Sequence, residues 1–246
     1  MHVLITRPEA DAEALKSRIE ELGCRATLAP LVAIVPNAIP LSAIEGATAL
    51  VTTSRNALKA LAGSPALGLA KSLPLYVVGP GTAAMAREIG FTDVIEGAGT
   101  AADLAATLSA LGRRDGGGTF AYLRGDVLAF DLEAALKRAE VNVVSVAAYR
   151  SVAAETLAPN VAAALARREI DAVMLMSPRT AETWARLAGD LIASAGRPIA
   201  QLCLSEAVAK ALLSRFAANN VLIAAHPSLE EMLALVKRLA AHSGAE

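Results

Sequence analysis

The chain has 246 residues, 54% of them hydrophobic, and a formal net charge of -1 with an isoelectric point near 6.3. Basic residues do not outnumber acidic ones, as they do in proteins that bind a phosphate backbone, and this argues against nucleic acid as a partner. Apolar stretches are short, and the first residues contain neither a basic start nor an apolar run of signal length, so we expect a cytoplasmic protein that does not enter a membrane.

Apolar runs with strand character recur along the chain, and helical patterns follow nearly every one. In the first helical pattern, Leu15, Ile19 and Leu22 form one stripe, and Gly23 is placed to end the helix. Alternation of strand and helix predicts parallel sheets covered on both faces. The runs are HVLIT (2–6), ALVTTS (49–54), LYVVG (75–79), FAYLR (120–124), AVMLMS (172–177) and QLCLS (201–205).

The order of these elements contains an internal duplication. One kind of unit supplies two strands and another supplies three, and each kind occurs twice in alternation. One unit of each kind therefore gives five strands, which fits a flavodoxin-like doubly wound sheet. The matched segments are 3–36 with 120–153, which aligns Arg7 with Arg124, and 52–63 with 176–189, which aligns Arg55 with Arg179.

The four units can be grouped into two lobes in two ways. Either the first unit pairs with the second and the third with the fourth, or the first pairs with the fourth and the second and third form an inserted lobe. Segment 33–41 carries two prolines in an extended context, and 147–154 lies at the matching point of the second copy. These segments could run side by side as hinge strands, which favours the insertion. The fold prediction is therefore α/β, with two flavodoxin-like lobes joined by a two-stranded connector. The outer lobe comprises 1–35 and 152–246, and the inserted lobe comprises 36–151.

Doubly wound sheets bind ligands beyond the carboxyl ends of their strands, where helices begin. The residues predicted there are hydroxyls, small residues and arginines, which suit a carboxylate or phosphate ligand. Two such rims facing each other would hold a polyanion. Each hydroxyl could instead cap its own helix, and each arginine could be a solvated surface residue. The candidate binding residues are Thr6, Arg7, Ser54, Arg55, Asn56, Gly79, Thr82, Arg124, Gly125, Ser177, Arg179 and Ser205.

Other chemistries have less support in the sequence. The segment GAGTAA (97–102) resembles a dinucleotide fingerprint, but Ala102 replaces the third glycine. Cys24 and Cys203 lack a nearby Cys or His and are interpreted as buried hydrophobes, and the scattered histidines predict no metal site. Tyr149, near the hinge, could be a hydrogen-bond donor or weak general acid, or a buried tyrosine at the domain junction.

Seven short motifs occur along the chain in an order and spacing that are more specific than any one of them. In these motifs the sequence resembles the uroporphyrinogen-III synthase family over nearly its whole length. That family has two α/β lobes joined by a two-stranded connector, with the inner lobe inserted into the outer. The motifs are LITRP (4–8), TTSRNA (52–57), VVGPGTA (77–83), YLRG (122–125), AYRSV (148–152), MSPRTAE (176–182) and CLSEAVA (203–209).

The resemblance implies a cofactor-free cyclising lyase of tetrapyrrole and heme biosynthesis. Its substrate, hydroxymethylbilane, would lose its terminal hydroxyl to give an azafulvene, and a spiro intermediate would then reclose with the terminal ring inverted, as uroporphyrinogen III. Tyr149 matches the family's tyrosine that assists departure of the hydroxyl, and Thr82 and Ser177 match hydroxyls that line its cleft. Val208 stands where many members have a threonine, so that contact is not carried over.

The expected partners are few. The bilane is the small-molecule substrate, and a transient contact with the upstream synthase that makes it is allowed. We expect a monomer, because no long exposed apolar stripe demands a partner. A two-lobed sensor of an anionic metabolite predicts the same rim without a need for Tyr149, and a nucleotide-dependent oxidoreductase would depend on the weak glycine pattern.

Overall fold

The chain divides into two compact units in a computed structural model. Residues 1–33 and 152–246 form the first unit, and residues 34–151 form the second. The structure describes residues 1–8, 12–114, 118–128, 130–196, 198–212, 216 and 220–243.

Strands and helices alternate through the described residues, as the hydrophobic patterns predict. The strands are β1 (His2–Ile5), β2 (Arg25–Leu28), β3 (Val32–Pro36), β4 (Ala49–Thr52), β5 (Leu75–Val77), β6 (Val94–Glu96), β7 (Phe120–Gly125), β8 (Val143–Ala153), β9 (Ala172–Leu175), β10 (Ala200–Cys203) and β11 (Val221–Ile223). The helices are α1 (Glu13–Glu21), α2 (Arg55–Ala62), α3 (Leu67–Ala70), α4 (Pro80–Glu88), α5 (Ala101–Arg114), α6 (Leu132–Arg138), α7 (Pro159–Ala166), α8 (Pro178–Ala195), α9 (Glu206–Lys210) and α10 (Leu229–Ser243). A short 3₁₀ helix, Leu41–Ala43, precedes β4.

The first unit is built on a five-stranded sheet in the order β2-β1-β9-β10-β11. All of its neighbouring strands run parallel. Counted along the chain within this unit, the order is 2-1-3-4-5, which is the flavodoxin-like order. Two of its strands come from the first segment of the chain and three from the last.

The second unit contains a six-stranded sheet in the order β3-β8-β7-β4-β5-β6. Its five strands from β8 to β6 repeat the neighbours of the first sheet and run parallel. The chain visits them in a permuted order, because the two-strand unit β7–β8 follows the three-strand unit β4–β6. The predicted α/β class with two doubly wound parallel sheets is confirmed.

The sixth strand, β3, lies outside the predicted five strands and overlaps segment 33–41, which was predicted to run beside 147–154 as a hinge strand. It lies at the sheet edge beside the long strand β8, where its Pro36 is tolerated. The Ala154 amide donates to the Leu31 carbonyl at 2.9 Å, and the Asn37 amide donates to the Ala148 carbonyl at 2.9 Å. Residue numbers rise along one strand as they fall along the other, so the pair is antiparallel. The chain passes from one unit to the other within these two strands.

Helices cover both faces of each sheet, and this explains the continuous apolar runs of the strands. Every residue of β1, β4 and β9 is buried. Cys24 and Cys203 lie in these cores, which confirms that both are buried. Gly23 follows the C-cap of α1, as predicted, and has a φ of +74°. Its amide donates to the Glu20 carbonyl at 2.9 Å and closes the helix end.

Candidate functional site

Strand direction places all the predicted binding residues at the carboxyl edges of the two sheets. In the second unit they end β7 or follow β4 and β5, and the predicted catalytic residue Tyr149 lies in the neighbouring strand β8. In the first unit they follow β1, β9 and β10. Parallel neighbours end at the same edge, so residues far apart in sequence become neighbours within each unit.

Ser54 and Tyr149 meet directly at the edge of the second sheet. Ser54 is the N-cap of α2, and its hydroxyl oxygen accepts from the Asn56 amide at 3.2 Å. The same oxygen lies 3.0 Å from the Tyr149 hydroxyl oxygen. Arg55 begins the helix and is exposed, whereas Asn56 is half-buried. The structure therefore joins a serine that follows β4 to the predicted catalytic tyrosine of β8.

A β-bulge in β8 decides which way Tyr149 points. Arg124 of β7 pairs with Ala147, but the next residue, Gly125, pairs with Tyr149 and leaves Ala148 as the extra residue. Side chains alternate between faces along a regular strand, so without the bulge Tyr149 would lie on the opposite face from Gly125. The bulge thus turns Tyr149 onto the face that carries Ser54.

Gly125 provides the space that the Tyr149 ring occupies. A Cβ atom at this position would lie 2.7 Å from both Cζ and the hydroxyl oxygen of Tyr149, and 3.0 Å from Cε2. Carbon atoms in good contact are about 3.5–4.0 Å apart, so no other residue fits beneath the ring as it stands. Gly125 is a predicted substrate contact, and in the structure it seats the tyrosine ring.

Two side chains, one from β7 and one from the residue after it, fix the surrounding backbone. Arg124 donates from Nη1 to the Gly125 carbonyl at 2.9 Å, and its buried Nε has no hydrogen-bond partner in the described part of the chain. The Asp126 amide donates to the Tyr149 carbonyl at 3.1 Å. An Asp126 carboxylate oxygen accepts from the Ser151 amide at 3.0 Å. Asp126 was not among the predicted site residues, although its position directly after the glycine that ends β7 could have indicated it.

A second tyrosine occupies the other face of the same sheet. The Tyr122 hydroxyl lies 3.3 Å from the Thr53 hydroxyl, and the side chain is 1% exposed. Burial raises the pKa of Tyr122 above its ordinary value of 10.0. Thr53 and Ser54 are consecutive residues after β4, and their hydroxyls contact different tyrosines, Tyr122 and Tyr149. Of these two tyrosines, the one bonded to Ser54 is partly accessible.

The segment after β5 corrects one capping prediction. Helix α4 begins at Pro80 with Gly79 as its N-cap, because proline has a suitable φ and lacks the amide hydrogen that this position leaves unpaired. Thr82, predicted as a possible cap, therefore lies within the first turn. It is half-buried, so its hydroxyl stands at the start of α4 beside the carboxyl end of β5.

At the edge of the first sheet, the hydroxyl groups differ in their accessibility. Ser177 caps α8 by accepting from the Thr180 amide at 3.2 Å. Ser205 is the N-cap of α9, but its side chain makes no capping bond. Thr6 is fully buried and donates to the Met174 carbonyl at 2.6 Å. This corrects its predicted role, because a fully buried, satisfied hydroxyl joins β1 to β9 and does not face a ligand.

The strand registers also test the alignment of the duplicated units. Ile5 pairs with Met174, and Tyr122 pairs with Val51, which places Arg7 and Arg124 at equivalent positions. The arginines of the other repeat are not equivalent. Arg55 is the first residue of α2 and Arg179 the second of α8, because Pro178 has been added after the capping serine. Their side chains therefore leave the two helices about 100° apart. Arg7 and Arg179 are half-buried.

Val208, where the resemblance predicts a threonine, has an apolar environment. It is 1% exposed and packs in the core of the first unit. Its helical position matches that of Thr82, since both are the third residue of a helix that follows a sheet strand.

The described residues show neither a metal-binding cluster nor a membrane-spanning helix. They contain no group of three or more His, Cys, Asp or Glu side chains placed to hold a metal ion. Among the described helices, none has the length and apolar character needed to cross a membrane.

Comparison with known proteins decides the family. The sequence model of the family described as uroporphyrinogen-III synthase HemD matches residues 13–234. The chain belongs to the uroporphyrinogen-III synthase family. Members of this family are cyclising lyases of tetrapyrrole biosynthesis, and the chain shares this function. The family match does not favour the alternative of a metabolite sensor. No curated protein matches the sequence.

Solved structures with the same fold support the architecture. The uroporphyrinogen-III synthetase of Helicobacter pylori is 17% identical with a TM-score of 0.68, over 97% of this chain and 99% of that one. A mutant uroporphyrinogen III synthase of Thermus thermophilus is 21% identical with a TM-score of 0.53, over 97% of this chain and 98% of that one. At these identities the likeness concerns the fold.

Proposed function

We propose that this protein converts hydroxymethylbilane to uroporphyrinogen III and that Tyr149 donates the proton with which the terminal hydroxyl leaves as water. The observation that carries the assignment of Tyr149 is its position at the carboxyl edge of the second sheet. There the residue is half-buried, and its hydroxyl is bonded to Ser54 at 3.0 Å. A phenol held in this way is a hydrogen-bond donor of fixed direction, which is what general acid catalysis needs.

The remaining rim residues are proposed to bind the carboxylates of the substrate. In the second unit, Arg55 and Asn56 begin α2, and Gly79 and Thr82 begin α4, so backbone amides and the positive end of each helix dipole accompany the side chains. Arg124 adds a half-buried guanidinium. In the first unit, the proposed contacts are Arg7, Ser177, Arg179 and Ser205.

Binding also has to control which isomer forms. Spontaneous closure of the bilane gives the non-inverted isomer I, so the enzyme must stabilise the geometry that leads to the spiro intermediate. Several fixed contacts to carboxylates can do this, because orienting reacting groups lowers the entropic part of the barrier. No cofactor is needed for this chemistry, since the substrate supplies both the electrophile and the nucleophile. We further propose a cytoplasmic monomer that meets the upstream bilane-forming synthase only transiently.

A coupled assay tests the function and the role of Tyr149. The upstream synthase generates hydroxymethylbilane, the protein is added, and the oxidised products are separated into uroporphyrin isomers I and III. Predominantly isomer III is expected from the wild type, and isomer I alone from folded protein would refute the synthase activity.

The variant Tyr149→Phe should lower kcat by about 10²-fold while the product that forms remains isomer III, because general acid catalysis contributes factors of about this size. The matched control is Tyr122→Phe, which removes a hydroxyl from the neighbouring strand on the other face. It should affect stability and leave kcat near the wild-type value. Equal kcat for Tyr149→Phe and the wild type would exclude Tyr149 as the proton donor.

A further inference from the structure

The Ser54 hydroxyl has two polar neighbours, the Asn56 amide and the Tyr149 hydroxyl. The Ser54 oxygen already accepts from the Asn56 amide at 3.2 Å. A serine hydroxyl has one proton to donate, and the Tyr149 oxygen, 3.0 Å away, is the acceptor for it that the described residues provide. With Ser54 as the donor, Tyr149 accepts one bond and keeps its own proton for another group.

We propose that Ser54 is a positioning residue that orients the Tyr149 proton toward the leaving hydroxyl of the substrate. This inference rests on the proposed function, in which Tyr149 is the proton donor. Ser54 itself does not need to touch the substrate. It acts through the phenol, since a Tyr149 hydroxyl that donated to Ser54 would point its proton away from the reaction.

The same arrangement stabilises the charge that the reaction creates. When the C–O bond breaks, its electron pair leaves with the oxygen, which takes the Tyr149 proton and departs as water. The phenolate that remains accepts from Ser54, which in turn accepts from the first turn of the eight-residue helix α2. The positive end of that helix favours negative charge at this place. Closure and rearomatisation of the attacked ring release one proton, which restores Tyr149, so the net loss is one water.

The competing explanation is that Ser54 only caps α2. The two roles are separable because capping needs an acceptor, whereas orientation of Tyr149 needs a donor. Aspartate is as good an N-cap as serine, but its ionised carboxylate only accepts hydrogen bonds. In Ser54→Asp the Tyr149 hydroxyl would therefore donate to the carboxylate. Threonine keeps both the acceptor and the donor, and alanine removes both.

The experiment measures kcat and KM for Ser54→Thr, Ser54→Ala and Ser54→Asp in the coupled isomer assay, with thermal melting of each variant. Orientation of the proton predicts a kcat order of Thr, then Ala, then Asp, with the Asp variant falling about as far as Tyr149→Phe, about 10²-fold. Capping alone predicts that Thr and Asp match each other and exceed Ala. Ser64→Asp is the matched control, because the Ser64 hydroxyl accepts from the Ala66 amide at the same 3.2 Å, and kcat and KM should not change.

A second set in the Tyr149→Phe background separates orientation from the added negative charge. If Ser54 acts through Tyr149, then Ser54→Asp and Ser54→Ala cause no further fall in kcat there, although the charge can raise KM. The same fall in both backgrounds would overturn the inference, as would a Ser54→Asp enzyme with the kcat of Ser54→Thr. Either result leaves the synthase function and the role of Tyr149 standing. Should Ser54→Asp fail to fold, the Ser54→Ala cycle gives the same decision.

Discussion

Replacing Gly125 with alanine should displace the Tyr149 ring. The new Cβ would lie 2.7 Å from the ring carbon Cζ and from the hydroxyl oxygen, whereas contacting carbons are about 3.5–4.0 Å apart, so the ring has to move by about 1 Å. A shift of that size would break the 3.0 Å bond to Ser54. Overpacking of this kind costs about 1–3 kcal/mol of stability, and a misplacement of about 1 Å lowers a rate by about 10²-fold.

Urea unfolding and the coupled isomer assay measure the two effects of Gly125→Ala. In a Tyr149→Ala background the ring is absent, so the same substitution should cost less than about 0.5 kcal/mol. Gly68→Ala is the matched control in the same unit, because a Cβ there meets nothing within 4 Å. It should leave kcat unchanged and stabilise the protein slightly, as alanine restricts the unfolded chain.

Two results would refute this reasoning. The first is a Gly125→Ala enzyme with wild-type stability and kcat. The second is a loss of stability that is equally large in the presence and the absence of the Tyr149 ring, because the cost would then come from the backbone at Gly125 and not from the contact.

Two further predictions concern groups outside the site. Burial, and then the charge of Arg25, lower the pKa of His2 below its ordinary value of 6.5. As the pH falls below about 6.5, the unfolded chain therefore takes up a proton at His2 before the folded chain does. The free energy of unfolding should decrease as the pH is lowered through this range. Urea titrations at several pH values should show a smaller fall for His2→Gln, and identical pH slopes would contradict the assignment. Burial also raises the pKa of Cys203 to about 12, so this thiol should react with a disulfide reagent only after unfolding. The Cys24 thiol should be protected as well, because it is buried. Rapid labelling of the native protein would contradict this.

Much of the fold could be predicted from the sequence, because its signals are local. A strand buried on both faces is a continuous apolar run, and β1, β4 and β9 were recognisable on that ground. The duplication of strand and helix units predicted the flavodoxin-like order, since a parallel sheet with short connections leaves few arrangements. The segment of β3 was predicted as a hinge strand beside 147–154 and not as a member of a five-stranded sheet. Its proline and partial exposure are typical of a linker, and only its pairing with β8 makes it part of a sheet.

The order of the elements is enough to predict that hydroxyls, arginines and a tyrosine lie at the carboxyl ends of parallel strands, because strand direction follows from that order. Tertiary structure decided which of them meet. One extra residue in β8 turns Tyr149 toward Ser54 and over Gly125, and the hydrophobic periodicity of the strand does not reveal it. Thr6 is buried, and its hydroxyl donates to the carbonyl of Met174, which is 168 residues away in the sequence. Such contacts depend on register and on the space between side chains, which are properties of the packed chain and not of any local segment.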